Sequence, residues 1–182
     1  MNSPYETNPR LHDMTPADLD EVLSIEENVH TVPWTRGNFE DGLLNGNIAK
    51  VLTLKNRIIG YAVLLQTVDE VQLLNIGIAL RYQRQGFGKR LLGEIKDLAR
   101  ENGMRRILLE VRRSNKVARD LYHAAGFVGI GVRCGYYKGA EVSAEQALKY
   151  VRAGRDIQAG EKVLPGGIVV PREDAIVMEC LL

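Results

Sequence analysis

Residues 73–99 constrain this chain more than any other stretch. Leu73-Leu74-Asn75-Ile76-Gly77-Ile78 is a short apolar run of the kind that forms a buried strand. Polar residues Arg81-Tyr82-Gln83-Arg84-Gln85 interrupt it, and Gly86-Phe87-Gly88 follows. Leu91, Leu92, Ile95, Leu98 and Ala99 then recur at helical spacing. Strand, glycine loop and helix in that order make an anion-binding device. Gly86 and Gly88 let a ligand approach the backbone. The first N–H groups of the helix lack partners within it, and the positive end of its dipole lies behind them. Arg84, Lys89 and Arg90 add full charges. The arrangement suits a phosphate or pyrophosphate; a glycine turn with a solvated basic rim is the plainer alternative.

Two common phosphate motifs do not fit. A P-loop needs Ser or Thr after Gly-Lys, and Arg90 stands there; its first Gly is replaced by Gln83. The dinucleotide fingerprint needs a third Gly three residues past Gly88, and that residue is Leu91. What remains is Gln83-x-x-Gly86-x-Gly88.

Around this centre, the 182 residues suffice for one domain with a real core. A formal net charge of +1 gives no global pull toward nucleic acid or an anionic membrane, so neither is expected as a partner. No apolar run approaches the ~20 residues of a membrane helix. Cys134 and Cys180 lie far apart, and His12, His30 and His123 form no metal-ligand spacing, so no metal is expected. Sparse cysteines and a polar N-terminus without a signal-like apolar segment suit a reducing cytoplasm.

Residues 1–9 read as a loose tail and 10–182 as one domain. Thr15-Pro16-Ala17-Asp18 is a helix start, followed by Leu19, Val22, Leu23 and Ile25 on one stripe. After Val32-Pro33-Trp34, Thr35 caps a second helix carrying Phe39, Leu43 and Leu44. Residues 48–54 and 58–65 read as strands joined by a turn at Lys55-Asn56-Arg57, and 71–78 as a third. The helix after the glycine loop stops at Asn102-Gly103. Ile107-Leu108-Leu109-Glu110-Val111 is a strand. Ser114-Asn115 opens a helix with Val117, Ala118, Leu121, Tyr122 and Ala125 inward, and Phe127 begins another strand. Residues 144–151 read as a short helix, and Ala175-Ile176-Val177-Met178 closes the sheet. The expected class is α/β, with a central mixed sheet and helices on both faces.

Glu110 interrupts an apolar strand, and Glu is seldom buried without a partner. Alternation puts Leu108 and Glu110 on one face and Ile107, Leu109 and Val111 on the other. It is either an acid at a sheet edge, exposed or paired with a base such as Arg112, or a functional group. Tyr122 reads as a core aromatic and Asn115 as a helix cap unless the context says otherwise.

The loop Gln83-x-x-Gly86-x-Gly88 resembles the acyl-CoA pyrophosphate loop of the GNAT N-acetyltransferases. Leu109-Glu110-Val111-Arg112-x-Ser114-Asn115, with Ala118, Leu121-Tyr122 and Gly126-Phe127, is similar to their second acyl-CoA motif. Pro33-Trp34 with Phe39, Tyr136-Tyr137, and Arg172-Glu173-Asp174 resemble the RimI-type ribosomal-protein alanine N-acetyltransferases more narrowly. The likeness covers about 11–137 and 171–180. It implies the twisted GNAT sheet, acetyl-CoA as cosubstrate and no metal. It implies as acceptor the α-amine of an N-terminal alanine on a small-subunit ribosomal protein. By the same resemblance Glu110 is the general base and Tyr122 the general acid. Ile76, Gly77 and Ile78 pair with the pantetheine arm. Arg84, Gln85, Gly86, Phe87, Gly88 and Lys89 hold the pyrophosphate, and Asn115 contacts CoA. One departure stands out: residues 138–170 form an insertion before the last strand, where the family passes in a few residues. Gly77 is also unusual beside the CoA-binding backbone, where it suits a bulge.

The chemistry agrees with these roles. A thioester is already activated, so the enzyme mainly aligns amine and carbonyl. An α-amine has pKa ~8, so its neutral form costs only on the order of 1 kcal/mol near neutral pH. A carboxylate suffices as base, directly or through water. A backbone N–H near Ile78 can stabilise the oxyanion, and a tyrosine can protonate the leaving thiolate. No covalent acyl-enzyme is needed, so Cys134 is not expected to react. Acceptors other than an α-amine, namely a lysine side chain or a small-molecule amine, stay open, as does an acyl-CoA-binding module without turnover.

Overall fold

The structure, a computed structural model, describes residues 8–138, 142–143, 162–164, 168–170 and 172–182. Residues 1–7 of the expected tail at 1–9, and the expected helix at 144–151, lie outside the described residues.

Seven strands form one mixed sheet in the order β1-β2-β3-β4-β5-β10-β6. β1 (Arg10–Asp13), unforeseen in the sequence, pairs antiparallel with β2 (Ile48–Leu54). β3 (Arg57–Gln66) follows through a tight turn in which Lys55 and Asn56 have positive φ, +51° and +58°. β4 (Glu70–Ile78) completes the antiparallel meander. β5 (Arg106–Arg112) then pairs parallel to β4. β10 (Arg172–Leu181) inserts between β5 and β6 (Val128–Lys138) and runs well beyond the four residues read as the closing strand. Within the segment read as an insertion, β7 (Val142–Ser143), β8 (Lys162–Leu164) and β9 (Ile168–Val170) pair as a separate three-stranded sheet.

Helices cover both faces. Thr15 opens a 3-10 turn, its N–H donating to the Asp18 carboxylate at 2.7 Å, and α1 (Leu19–Val29) continues from it. Thr35 caps α2 (Arg36–Leu44) reciprocally with Asn38. The apolar stripes of α1 and α2 close over Val51, Ile58, Tyr61 and Val63. On the opposite face α3 (Phe87–Glu101) and α4 (Lys116–Ala124) bury Leu91, Leu92, Ile95 and Tyr122 against Leu73, Ile107, Leu109 and Val111.

The feature that positions the site is a split in the sheet. β4 and β5 pair only from Glu70–Arg106 to Leu73–Leu109. Beyond that point β4 stays bonded to β3 as far as Ile78, and β5 stays bonded to β10 as far as Arg112. The strands therefore diverge from Leu74 and Glu110 onward, leaving the facing backbone edge of β4 open.

Gly77 sits on that edge for a reason other than a bulge. The register irregularity between β3 and β4 falls between Val63 and Leu64, opposite Asn75 and Leu73. At Gly77 itself a Cβ would lie 2.6–2.8 Å from the ring and hydroxyl of Tyr61, which is fully buried. Overpacking of this kind costs about 1–3 kcal/mol. Gly77→Ala is expected to lose about that much stability in a urea melt, whereas an unchanged midpoint would mean that the ring moves aside freely.

Candidate active site

The split opens into a cavity of about 540 Å³. Its walls are Ile76, Gly77 and Ile78 of β4, the loop residues Gln83, Arg84, Gly86, Gly88 and Lys89, and Asn115, Ala118, Leu121 and Tyr122 around α4. Val29 and His30, from the end of α1, and Val117 and Asp120 of α4 complete it.

The glycine loop is built from both backbone and side chains. Gln83 donates to the Ile78 carbonyl at 2.9 Å, and Gln85 to the Arg81 carbonyl at 2.7 Å. Gly86 precedes α3 with φ +87°, a left-handed conformation that glycine adopts without strain. Open space surrounds the position of a Cβ there, so conformation rather than room requires glycine. At Gly88 the reason is packing, since a Cβ would come within 3.3 Å of Leu121 and crowd α3 against α4. Gly88 and Lys89, in the first turn of α3, line the cavity, and the N–H groups of a first turn have no partner within their helix. Arg84 and Lys89 line it, and neither makes an ion pair among the described residues. Arg90, grouped with them in the sequence, instead bonds Glu94 at 2.8 Å and the Pro9 carbonyl at 2.6 Å. Phe87 does not line the cavity but packs edge-on against Tyr82, and Gln85 serves the loop rather than the lining. Val117, expected to point inward, is 61% exposed and forms part of the rim.

Tyr122 is the buried tyrosine of the wall. Burial, and secondarily the neighbouring Tyr137, pushes its hydroxyl well above the usual tyrosine range, so it remains a proton donor at any working pH. Asn115 caps α4 by accepting the Ala118 N–H at 3.1 Å. Cap and cavity residue are the same side chain.

Glu110 lies where β5 leaves β4, but it is not among the cavity's lining residues. Its carboxylate is mostly buried and pairs with Arg133 of β6, not with Arg112. Arg133 also stacks 4.0 Å over the Tyr136 ring, and the Glu110 carboxylate beside the Tyr136 hydroxyl holds it above its ordinary pKa. Tyr137 donates to the Glu110 carbonyl at 2.9 Å; burial, then the Glu110 charge, pushes its pKa up to about 12. Arg172-Glu173-Asp174 hold this corner. Arg172 donates to the Gly135 carbonyl at 2.9 Å, and Asp174 accepts the Gly135 N–H at 2.9 Å. Glu173 pairs with Arg112 at 3.3 Å. Arg133 and His30 escaped the sequence reading, because their importance comes from strand pairing and helix placement rather than from local pattern.

Residues 19–127 match the family model described as Acetyltransferase (GNAT) family. The chain belongs to the GNAT acetyltransferases. It is 36% identical to a ribosomal protein bS18 alanine N-acetyltransferase of Haemophilus ducreyi over 135 residues, covering 72% of this chain and 90% of that protein. The protein of the same name from Haemophilus influenzae is 37% identical over 131 residues, 72% of this chain and 89% of that one. The crystal structure of the ribosomal-protein alanine N-acetyltransferase of Escherichia coli superposes with a TM-score of 0.75 at 26% identity, covering 96% of this chain and 94% of that chain. The split between β4 and β5, the glycine loop and the helices on both faces are thus those of a GNAT acetyltransferase. Among the described residues no helix is long and apolar enough to cross a membrane.

Proposed function

We propose that the protein transfers an acetyl group from acetyl-CoA to the α-amine of an N-terminal alanine on a small-subunit ribosomal protein, in the cytoplasm. Residues 10–182 then act as one acetyltransferase domain that carries 138–170 as an insertion. The observation that carries the reading is the cavity itself. It joins Arg84 and Lys89, which make no ion pair among the described residues, and a helix N-terminus at one end to an open strand edge and a buried, protonated tyrosine.

That cavity fits the cosubstrate. The pyrophosphate rests on the loop N–H groups between Arg84 and Lys89, and the pantetheine arm runs along the open edge of Ile76–Ile78. The carbonyl is thereby fixed at the split. The neutral amine attacks the thioester carbon, the C–S bond breaks, and Tyr122 gives its proton to the departing thiolate. Glu110 takes up the proton lost by the amine. Its carboxylate is held outside the cavity by Arg133 and Tyr136, so the proton reaches it through water.

The test is thiol release from acetyl-CoA with two peptides. One begins with a free alanine; the other has the same sequence with a blocked N-terminus and an internal lysine. Turnover confined to the free-alanine peptide is the expected result. Turnover through lysine alone would overturn the acceptor, and tight acetyl-CoA binding without turnover on either would overturn the activity.

A further inference from the structure

A second polar cluster lies beneath the cavity, and the mechanism above does not use it. Glu26, in the last turns of α1, is 1% exposed, and few ionisable side chains are buried so completely. Its carboxylate gathers donors from three separate elements. The Trp34 backbone N–H donates at 2.7 Å from the α1–α2 connection. The Tyr61 hydroxyl donates from β3, and the Asn75 amide donates at 3.2 Å from β4. Burial first, and Glu26 second, raise the Tyr61 pKa, so that hydroxyl stays a donor. His30, one turn on, places Nε2 3.5 Å from the Glu26 carboxylate and 3.3 Å from the Ile76 carbonyl. With two acceptors before it, Nε2 carries the hydrogen.

Three arms of this cluster lead to the cavity wall. Asn75 precedes Ile76 and Gly77, which line it; His30 lines it and holds Ile76; the Tyr61 ring fills the space beside Gly77. The remaining arm reaches Trp34, whose ring packs edge-on to Phe39 at 5.3 Å, on the connection that leads into α2. One buried carboxylate therefore ties that connection to the open edge of β4. A packed apolar side chain could fill the same volume without the cost of a buried charge. The carboxylate fixes relative position, because its bonds are directional and tie the α1–α2 connection to the paired strands β3 and β4.

We infer that Glu26 is a positioning residue for the acceptor amine: through Trp34 it sets the α1–α2 connection against the β4 edge, and so governs how tightly the peptide substrate binds. This rests on the acetyltransferase reading. Glu26 itself touches neither substrate.

The test compares Glu26→Gln and Tyr61→Phe with the parent protein. Tyr61→Phe keeps the ring over Gly77 and removes only the hydroxyl, so it gives the answer where Glu26→Gln fails to fold. Steady-state kinetics with the free-alanine peptide should show its KM rising about tenfold for Glu26→Gln and several-fold for Tyr61→Phe. kcat and the acetyl-CoA KM should stay within about twofold. Trp34 is the sole tryptophan, so its emission should shift to the red and become easier to quench in the same variants. A lower melting temperature with unchanged peptide KM would overturn the inference and leave Glu26 a purely structural group. A matching loss of acetyl-CoA affinity would overturn it as well, placing the effect on the cosubstrate side. If the parent protein itself acetylates neither peptide, the acetyltransferase reading fails first, and the Trp34 emission still tests the link from Glu26 to the connection.

Discussion

Gly86→Glu is expected to weaken acetyl-CoA binding about 1,000-fold, measured by titration calorimetry. Two effects combine. A non-glycine residue at φ +87° pays roughly 1–2 kcal/mol of backbone strain. The new carboxylate would also enter the space where the pyrophosphate is expected. A like charge a few ångströms away at the effective dielectric of a protein surface costs about 3 kcal/mol. Because a Cβ at Gly86 meets nothing within 4 Å, a clash with the protein itself is not part of the effect. Gly86→Ala separates the two contributions: it carries the strain without the charge and should weaken binding only several-fold. Unchanged affinity in Gly86→Glu would remove the loop from the pyrophosphate site. A loss in Gly86→Ala as large as in Gly86→Glu would mean that loop shape, not charge, decides binding.

The elements around that loop were legible because their signals are local. Apolar periodicity marks β4, β5 and α3, and the caps at Thr15, Thr35, Asn102 and Asn115 stand within a few residues of the helices they bound. What escaped depends on contacts between distant segments. β1 is four residues with no alternation of its own and exists through its pairing with β2. Gly77 is set by a tyrosine on the neighbouring strand, which no reading of 71–78 alone can supply. Charge gave the same lesson twice. Arg90 has the right type and position for the phosphate site, but the i,i+4 Glu94 and the Pro9 carbonyl take it away. Arg112 is the nearest base to Glu110 in sequence, yet strand alternation and the insertion of β10 give the carboxylate to Arg133. Glu26 is the extreme case, an acid in an amphipathic helix whose partners lie 8, 35 and 49 residues away.

Glu110→Gln should lower kcat about 100-fold while leaving acetyl-CoA affinity within about twofold of the parent. General-base catalysis contributes about 10²–10⁴-fold, and Glu110 lies outside the cavity lining, so cosubstrate binding has no direct stake in its charge. Glutamine keeps a hydrogen-bond acceptor for Arg133 and Tyr136 but accepts no proton at working pH. The Arg133 pairing makes a second variant informative. Arg133→Ala removes the paired guanidinium and leaves the Glu110 carboxylate itself in place. If Glu110 is the base, Arg133→Ala should leave kcat near that of the parent. If Glu110 only anchors Arg133 over Tyr136, Arg133→Ala should lower kcat as far as Glu110→Gln does. Tyr122→Phe belongs in the same series. Its hydroxyl stays protonated across the working range, so its loss should lower kcat at every pH by a similar factor. Activity of the parent should still rise with pH as the amine, with pKa ~8, loses its proton. A Tyr122→Phe profile that keeps this rise at a lower plateau is the signature of a proton donor to the thiolate. A profile whose midpoint moves would instead make Tyr122 part of the amine's own deprotonation.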